Sequence, residues 1–351
     1  MLYDHETLLN QQTVFSAISR ANFVAQNNVR TAFFKARVSA TVQVTVAGTL
    51  IRNDGSVLGL FTRGGLQQGS DDQINFDLRM LRKVAEAFAY SPLASRRLST
   101  AEVVAKGTFN LFDEVVIPCS MPGTSSPSQT EFRERNPQNV LNVFFQQAPA
   151  PILTDGTIVV TNLAVTVTQV YDQDVNTRPV FVPYFDTVEL PINGAIANGR
   201  LDLRASDFIA ALIIQQDTAN LGEVADIINA YAYRGDGTDI VGPAQVPWLH
   251  MVDGQGWQLG TGNQNRYQLA GDTAAVPNFI TATKSTDLYN HIKQGRLSAL
   301  LAPNSIPNLR LEVNAQPSVV AGAVGSVVRV GRLMYRRDPV VCTPDIPFPV
   351  I

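Results

Sequence analysis

A two-residue alternation of apolar and polar side chains recurs in two successive blocks of this chain, and few folds can accommodate it. In ARVSATVQVTVAGTLI (36–51), Val38, Val42, Val44 and Val46 share one face, while Thr41, Gln43 and Thr45 take the other. Period two with β-branched residues specifies a half-buried strand. The same reading holds for TFNLFDEVVIP (108–118), LNVFFQQ (141–147) and TIVVTNLAVTVTQVY (157–171). Beyond mid-chain it returns in PVFVPYFDTVELPI (179–192) and within 201–218, where Phe208, Leu212 and Ile214 are core candidates. It continues in 226–240, NLRLEVNAQ (308–316) and GSVVRVGRLMYRR (325–337). Gly (24) and Pro (20) punctuate these runs often enough to cut the chain into many short strands.

Three segments carry a helical period instead. Residues 4–24 read as an amphipathic helix, with Asp4 as N-cap, Leu8, Phe15, Ile18 and Ala21 near one face, and Asn27-Asn28 at its end. Residues 76–90 form a second, capped by Asn75 or Asp77, with Leu78, Leu81, Ala85 and Phe88 facing the core and Ser91-Pro92 stopping it. STDLYNHIKQG (285–295) is a third, with Ser285 as N-cap and Gly295 just past its end. The expected class is therefore all-β with a few short helices.

The halves echo one another. The first closes with LNVFFQQAP, a turn, and GTIVVTNLAVTVTQVYD; the second closes with LRLEVNAQP, a turn, and GSVVRVGRLMYRRD. Leu141 and Leu309 occupy matching points nearly half the chain apart, and each half opens on a strand and carries a helix before its closing hairpin. DQDVNTRP (172–179) is polar, Pro-ended and close to mid-chain, as a boundary should be. The expected organisation is an N-terminal helical arm (1–30), two jelly-roll β-sandwich domains side by side (31–175 and 176–338) and an extended C-terminal tail (339–351). The loops at 120–138 and 241–282 are long, and long loops usually carry function or contacts.

Charge narrows the function. Lys and Arg number 27 against 30 Asp and Glu, so no strong global field attracts nucleic acid, and no sequence-specific nucleic-acid partner is expected. Charged residues are 16% of the chain, well below the usual quarter, which favours a surface hidden against neighbours. Cys119 and Cys342 lie far apart and read as free thiols. Asp4 and Glu6 stand where a signal peptide would be basic, and no apolar run reaches a membrane-spanning length. Synthesis as a soluble protein in the cytoplasm is expected.

No catalytic constellation stands out in the sequence. His5, His250 and His291 show no HxH or HExxH spacing, no GxxxxGK[ST] or GxSxG is present, and Asp71-Asp72 reads as a cap. GDGTD (235–239) reads as a turn, with an ion at Asp236 and Asp239 left open. No cofactor is expected. Arg133 and Arg135, and Arg332 with Arg336, are local basic groups; the latter two, four apart on a strand, point the same way. Their candidate roles are intersubunit pairing or inner-surface contact.

The segments VSATVQVTVAGTL, FRERNPQNVLNVFF, RPVFVPYFDTVELPI and LIIQQDT…GEVADIINAYAYRGD, in this order, resemble the double jelly-roll major capsid proteins of tailless icosahedral bacteriophages and their relatives. The resemblance spans most of the chain at the level of layout. It implies a non-enzymatic structural protein of the virion, trimers shaped as pseudo-hexagonal tiles, and an icosahedral shell around genome and internal membrane. Neighbouring capsomers, penton and minor capsid proteins are the implied partners. Leu8, Phe15 and Ile18 would be the arm's contacts with the inner surface or a membrane. The competing reading is a phage spike or carbohydrate-binding β-sandwich protein, with Trp248 and Trp257 as sugar-stacking platforms.

Overall fold

The structure, a computed structural model, describes residues 5–9, 12–13, 20–26, 29–49, 56–87, 93–96, 103–104, 106–119, 132–133, 141–147, 158–172, 181–192, 196–202, 208–217, 228–235, 238–239, 246–247, 266–268, 279–281, 286–290, 308, 310–315 and 326–337. The principal strands of the first half are β1 (His5–Leu8), β2 (Arg20–Val24), β3 (Arg30–Val44), β4 (Phe61–Gln68), β5 (Asp71–Phe76), β6 (Gly107–Pro118), β7 (Leu141–Gln147) and β8 (Ile158–Asp172). One helix, α1 (Leu78–Ala87), follows β5. The second half contributes β9 (Phe181–Ile192), β10 (Ile196–Asp202), β11 (Phe208–Asp217), β12 (Ile228–Gly235), β13 (Thr286–Asn290), β14 (Arg310–Ala315) and β15 (Ser326–Arg337).

Three sheets carry this architecture. Sheet one runs β1-β8-β3-β6 and ends on Ser95–Arg96, with Gln12–Thr13 added to β8 and Phe132–Arg133 to β3. Sheet two has eight strands, β13-β11-β15-β9-β5-β4-β7-β2, four from each half. Sheet three runs β10-β14-β12 to Thr238–Asp239, with Val246–Pro247 also on β12.

The duplication is visible in the pairing. In each half the opening strand pairs antiparallel with the closing one: β3 with β8, from Ile158↔Val44 to Asp172↔Arg30, and β9 with β15, from Phe181↔Arg337 to Ile192↔Ser326. In each half the next principal strand, β4 or β10, pairs with the penultimate one, β7 or β14. The expected closing hairpin is corrected by this topology. β7 and β8 lie in different sheets, as do β14 and β15, so the connection crosses between layers.

Alternation places Val38, Val42 and Val44 in the core as the sequence predicts, whereas Val46, past the end of β3, is 51% exposed. Val38, Val42 and Val44 of β3 are at most 2% exposed, and they stand opposite Val165, Val160 and Ile158 of β8 in the same layer. Facing residues from sheet two include Phe23, Leu66, Ile74, Phe76, Val143 and Phe145. Helix α1 begins where expected: the Asp77 carboxylate accepts from the Arg79 amide at 2.8 Å. Leu78, Leu81 and Ala85 are buried, joined by Met80 and Val84; Phe88 lies outside the described residues.

Two helices are corrected. Within residues 4–24, three described segments are strands: β1 and Gln12–Thr13 along the edge of sheet one and β2 at the edge of sheet two. Sheet edges offered these backbones inter-strand partners, which outweighed a weak helical period. Phe15 and Ile18 lie outside the described residues. In 285–295, Thr286–Asn290 is strand β13, paired with Ala211–Gln215 of β11; His291 is outside the described residues. Within 241–282 the chain forms short strands at Val246–Pro247, Arg266–Gln268 and Phe279–Thr281, and Trp248 and Trp257 are outside the described residues.

Candidate assembly faces and the seam between the halves

The residues that bear on function are those that join the two halves and those that the fold leaves facing outward. The halves meet where β9 runs parallel to β5, with Phe185 opposite Ile74. The Phe185 ring lies 5.6 Å from Phe76 of the first half and 6.1 Å, edge-on, from Tyr335 of the second. All three rings are fully buried. Gly331 of β15 completes the contact: a Cβ there would stand 2.9 Å from the Phe76 ring and 3.1 Å from the Met80 sulfur. β15 is therefore buried on both faces. Gly331, Leu333 and Tyr335 turn one way and Val328, Val330 and Met334 the other, all buried.

Arg332 and Arg336 lie at this seam. Arg332 makes a two-pronged pair with Asp186 of β9, at 2.7 and 2.5 Å, and its side chain is 11% exposed. Arg336 stacks over the Tyr184 ring at 4.0 Å and approaches Asp71 of the first half at 3.5 Å. Arg133 lies in a short strand on β3, opposite Arg30. Arg135 is outside the described residues; among the described residues, Arg133 stands on a strand of sheet one and Arg332 and Arg336 on one of sheet two. Leu8, on the edge strand β1, is 65% exposed.

A second polar junction lies inside the first half, and sequence reading did not find it. Asp113 of β6 is fully buried; it accepts from Arg82 of α1 at 2.8 Å and from the Ser56 hydroxyl at 2.7 Å. Arg82 also donates to the carbonyls of Glu114 (2.6 Å) and Leu93 (3.0 Å). Glu114 takes the Ala94 amide at 2.9 Å and Lys35 at 3.2 Å. Ser56 caps the short 3-10 helix Val57–Leu60. The group thus ties α1, β6, β3 and the 93–96 segment together. Arg82 falls next to the apolar stripe of α1, and that position was its one sequence signal.

At the N-terminal edge, Gln169 acts as a clip. Its buried amide accepts from the Gln26 backbone at 2.7 Å and donates to the Thr31 hydroxyl at 2.8 Å. Thr7 meets Gln26 and Tyr171, which holds β1 close to the end of β2.

Among the described residues, no group of three or more His, Cys, Asp or Glu could hold a metal, and no helix is long and apolar enough to cross a membrane. Thr238–Asp239 pairs back on Arg234–Gly235, the register of a tight hairpin. Asp236 lies outside the described residues. Cys119 is fully buried, its Sγ 4.0 Å from the Ile117 carbonyl; Cys342 is outside the described residues.

No family model matches the chain, and no curated protein matches it in sequence. Solved structures do match it, over nearly its whole length. The STIV MCP, from Sulfolobus Turreted Icosahedral Virus, superposes with a TM-score of 0.62 at 11% identity, covering 97% of this chain and 100% of that one. The major capsid protein P2 from Bacteriophage PM2 gives 0.52 at 11% identity, covering 95% and 99%. A subunit of the PBCV-1 virus capsid gives 0.56 at 9% identity, covering 94% and 92%. With about a tenth of residues identical, the shared property is the fold. The chain has the double jelly-roll fold of viral major capsid proteins.

Proposed function

We propose that this chain is a major capsid protein, a structural and non-catalytic subunit whose copies build an icosahedral virion shell around a genome. The observation that carries the reading is the paired topology: opening-to-closing strand pairing occurs twice, the halves share one eight-stranded sheet, and the whole length superposes on capsid subunits. Two sandwiches per chain give a trimer six similar sides, which suits a pseudo-hexagonal tile under closed symmetry. The first module takes in β1 and β2 together with 31–175, the second spans 176–338, and the tile contacts neighbouring capsomers, penton and minor capsid proteins, and an internal lipid membrane. Exposed Leu8 supports a role for the N-terminal edge in such contacts, with Phe15 and Ile18 continuing it. Arg133, Arg135, Arg332 and Arg336 serve subunit or inner-surface contacts, the last two from within the seam.

Electron microscopy of the purified chain over a concentration series tests this. Hexagonal trimers and curved sheets or shells are expected. A protein that stays monomeric at every concentration, or isolated fibres, would overturn it.

A further inference from the structure

The outer face of sheet one carries a short basic band. Ala36 and Val38 of β3 are buried in the core, so Lys35 and Arg37 between them turn outward. Phe112 and Glu114 of β6 lie on the same face, with Glu114 opposite Arg37 in the register. Arg96, on the short strand Ser95–Arg96, stands directly opposite Phe112. The Arg37 guanidinium lies 4.0 Å from the centre of the Phe112 ring, so two arginines stand beside one half-buried ring. Both arginines are exposed, as is Ser95, and the Lys35 side chain is 37% exposed.

On the other sheets, arginines of this chain hold acids: Arg310 pairs with Glu312, Arg329 with Glu189 and Arg332 with Asp186. Among the described residues, no carboxylate pairs with Arg37 or Arg96. Glu114 is the acid at hand, but it is buried, and its carboxylate turns to Lys35 at 3.2 Å and to the Ala94 amide at 2.9 Å. Glu6, exposed on β1, is separated from β3 by the width of β8. Three cations against one buried anion leave a local excess of positive charge, on a chain whose net charge is −3. A guanidinium held against a ring on one side keeps its edge N–H groups for a planar, two-oxygen acceptor.

We infer that this band, Lys35, Arg37 and Arg96 around Phe112, is a docking site for an acidic polypeptide segment, whose carboxylates take the free N–H groups of the two arginines. Charge complementarity selects an anion, and the rest of the band selects which one. Arg37 already occupies the Phe112 ring on which a nucleic-acid base would stack, and the net charge of the chain opposes a long polyanion. No apolar side chain stands beside the cations to enter lipid: Val116, the next outward residue of β6, is buried, and exposed Leu8 lies two strands from Lys35. Carboxylates on a polypeptide need neither a stacking platform nor an apolar anchor. The site does not depend on the shell reading.

Fluorescence anisotropy of a labelled oligoglutamate peptide, titrated with the intact chain at low ionic strength, tests this. The peptide should bind, and added salt should weaken it. Arg37→Gln/Arg96→Gln should weaken binding by about tenfold, because two charge-assisted contacts become neutral ones. Arg200→Gln, at an exposed arginine on β10 of sheet three, should leave binding unchanged. Hydrogen exchange on the unmodified chain gives a second measurement, independent of how the variants fold: amides of 93–96 should slow when the peptide is added. A parent that does not bind the peptide, a double variant that binds it equally well, or unchanged exchange at 93–96 overturns the inference. So does tighter binding of an oligothymidylate, or of vesicles containing phosphatidylserine, that the same double variant abolishes.

Discussion

Phe185 in the second half stands opposite Ile74 in the first, in a parallel pairing that makes one sheet of two sandwiches. Its ring touches Phe76 on one side and Tyr335 on the other. Phe185→Ala should cost about 3–5 kcal/mol, the usual range for a buried aromatic. Because the ring serves both halves, denaturant unfolding should split into two transitions. Circular dichroism and tryptophan fluorescence, followed together, will show whether it does.

Two glycines should respond differently to alanine. A Cβ at Gly65 would fall 1.7 Å from the Ile74 carbonyl oxygen, a backbone atom of the paired strand. At Gly331 the obstacles are the Phe76 ring and the Met80 sulfur, which can shift. Gly331→Ala should cost about 1–3 kcal/mol, in the range of overpacking. Gly65→Ala should cost more and leave little folded protein in the soluble fraction. Met80→Ala should recover part of the Gly331→Ala loss and none of the Gly65→Ala loss.

Arg82→Met leaves the Asp113 carboxylate buried without its cation and should destabilise by about 3–5 kcal/mol. Arg82→Met/Asp113→Leu removes both charges and should lose less than the two single changes summed, in a double-mutant cycle from chemical denaturation. Ser56→Ala removes a helix cap and one Asp113 partner and should cost about 1–2 kcal/mol.

Arg332→Ala should lower stability more than Arg336→Ala. Arg332 is the less exposed of the two and grips Asp186 with two of its nitrogens, Nε and Nη2, whereas Arg336 and Asp71 are a long, solvated pair. Roughly 1–2 kcal/mol against under about 1 kcal/mol is expected from thermal melts, because solvent screens the second pair.

Gln169→Leu removes the buried amide that holds Gln26 and Thr31. It should cost about 1–3 kcal/mol, since the Gln26 amide loses its partner. Limited proteolysis should then cut near residues 24–28 faster than in the parent.

Residue by residue, the sequence by itself determined most strands of this protein. β7 matches its alternating run end to end, and β9 and β15 lie within theirs, because a period of two has few realisations once a core must be covered. It also determined α1, where an apolar stripe and the Asp77 cap agree. Ala21, Phe23 and Ala25, buried at every second position, are the signal for β2 that a weak helical spacing obscured. Tertiary structure decided what alternation cannot encode, namely which strands become neighbours. The Phe185–Ile74 pairing, the placement of β7 and β8 in separate layers, β13 as strand, and the Arg82–Asp113 contact across 31 residues of sequence all depend on it. The physical reason is that local pattern governs which face of an element is buried, while partners are chosen by packing and hydrogen bonding between segments that meet only when the whole chain has folded.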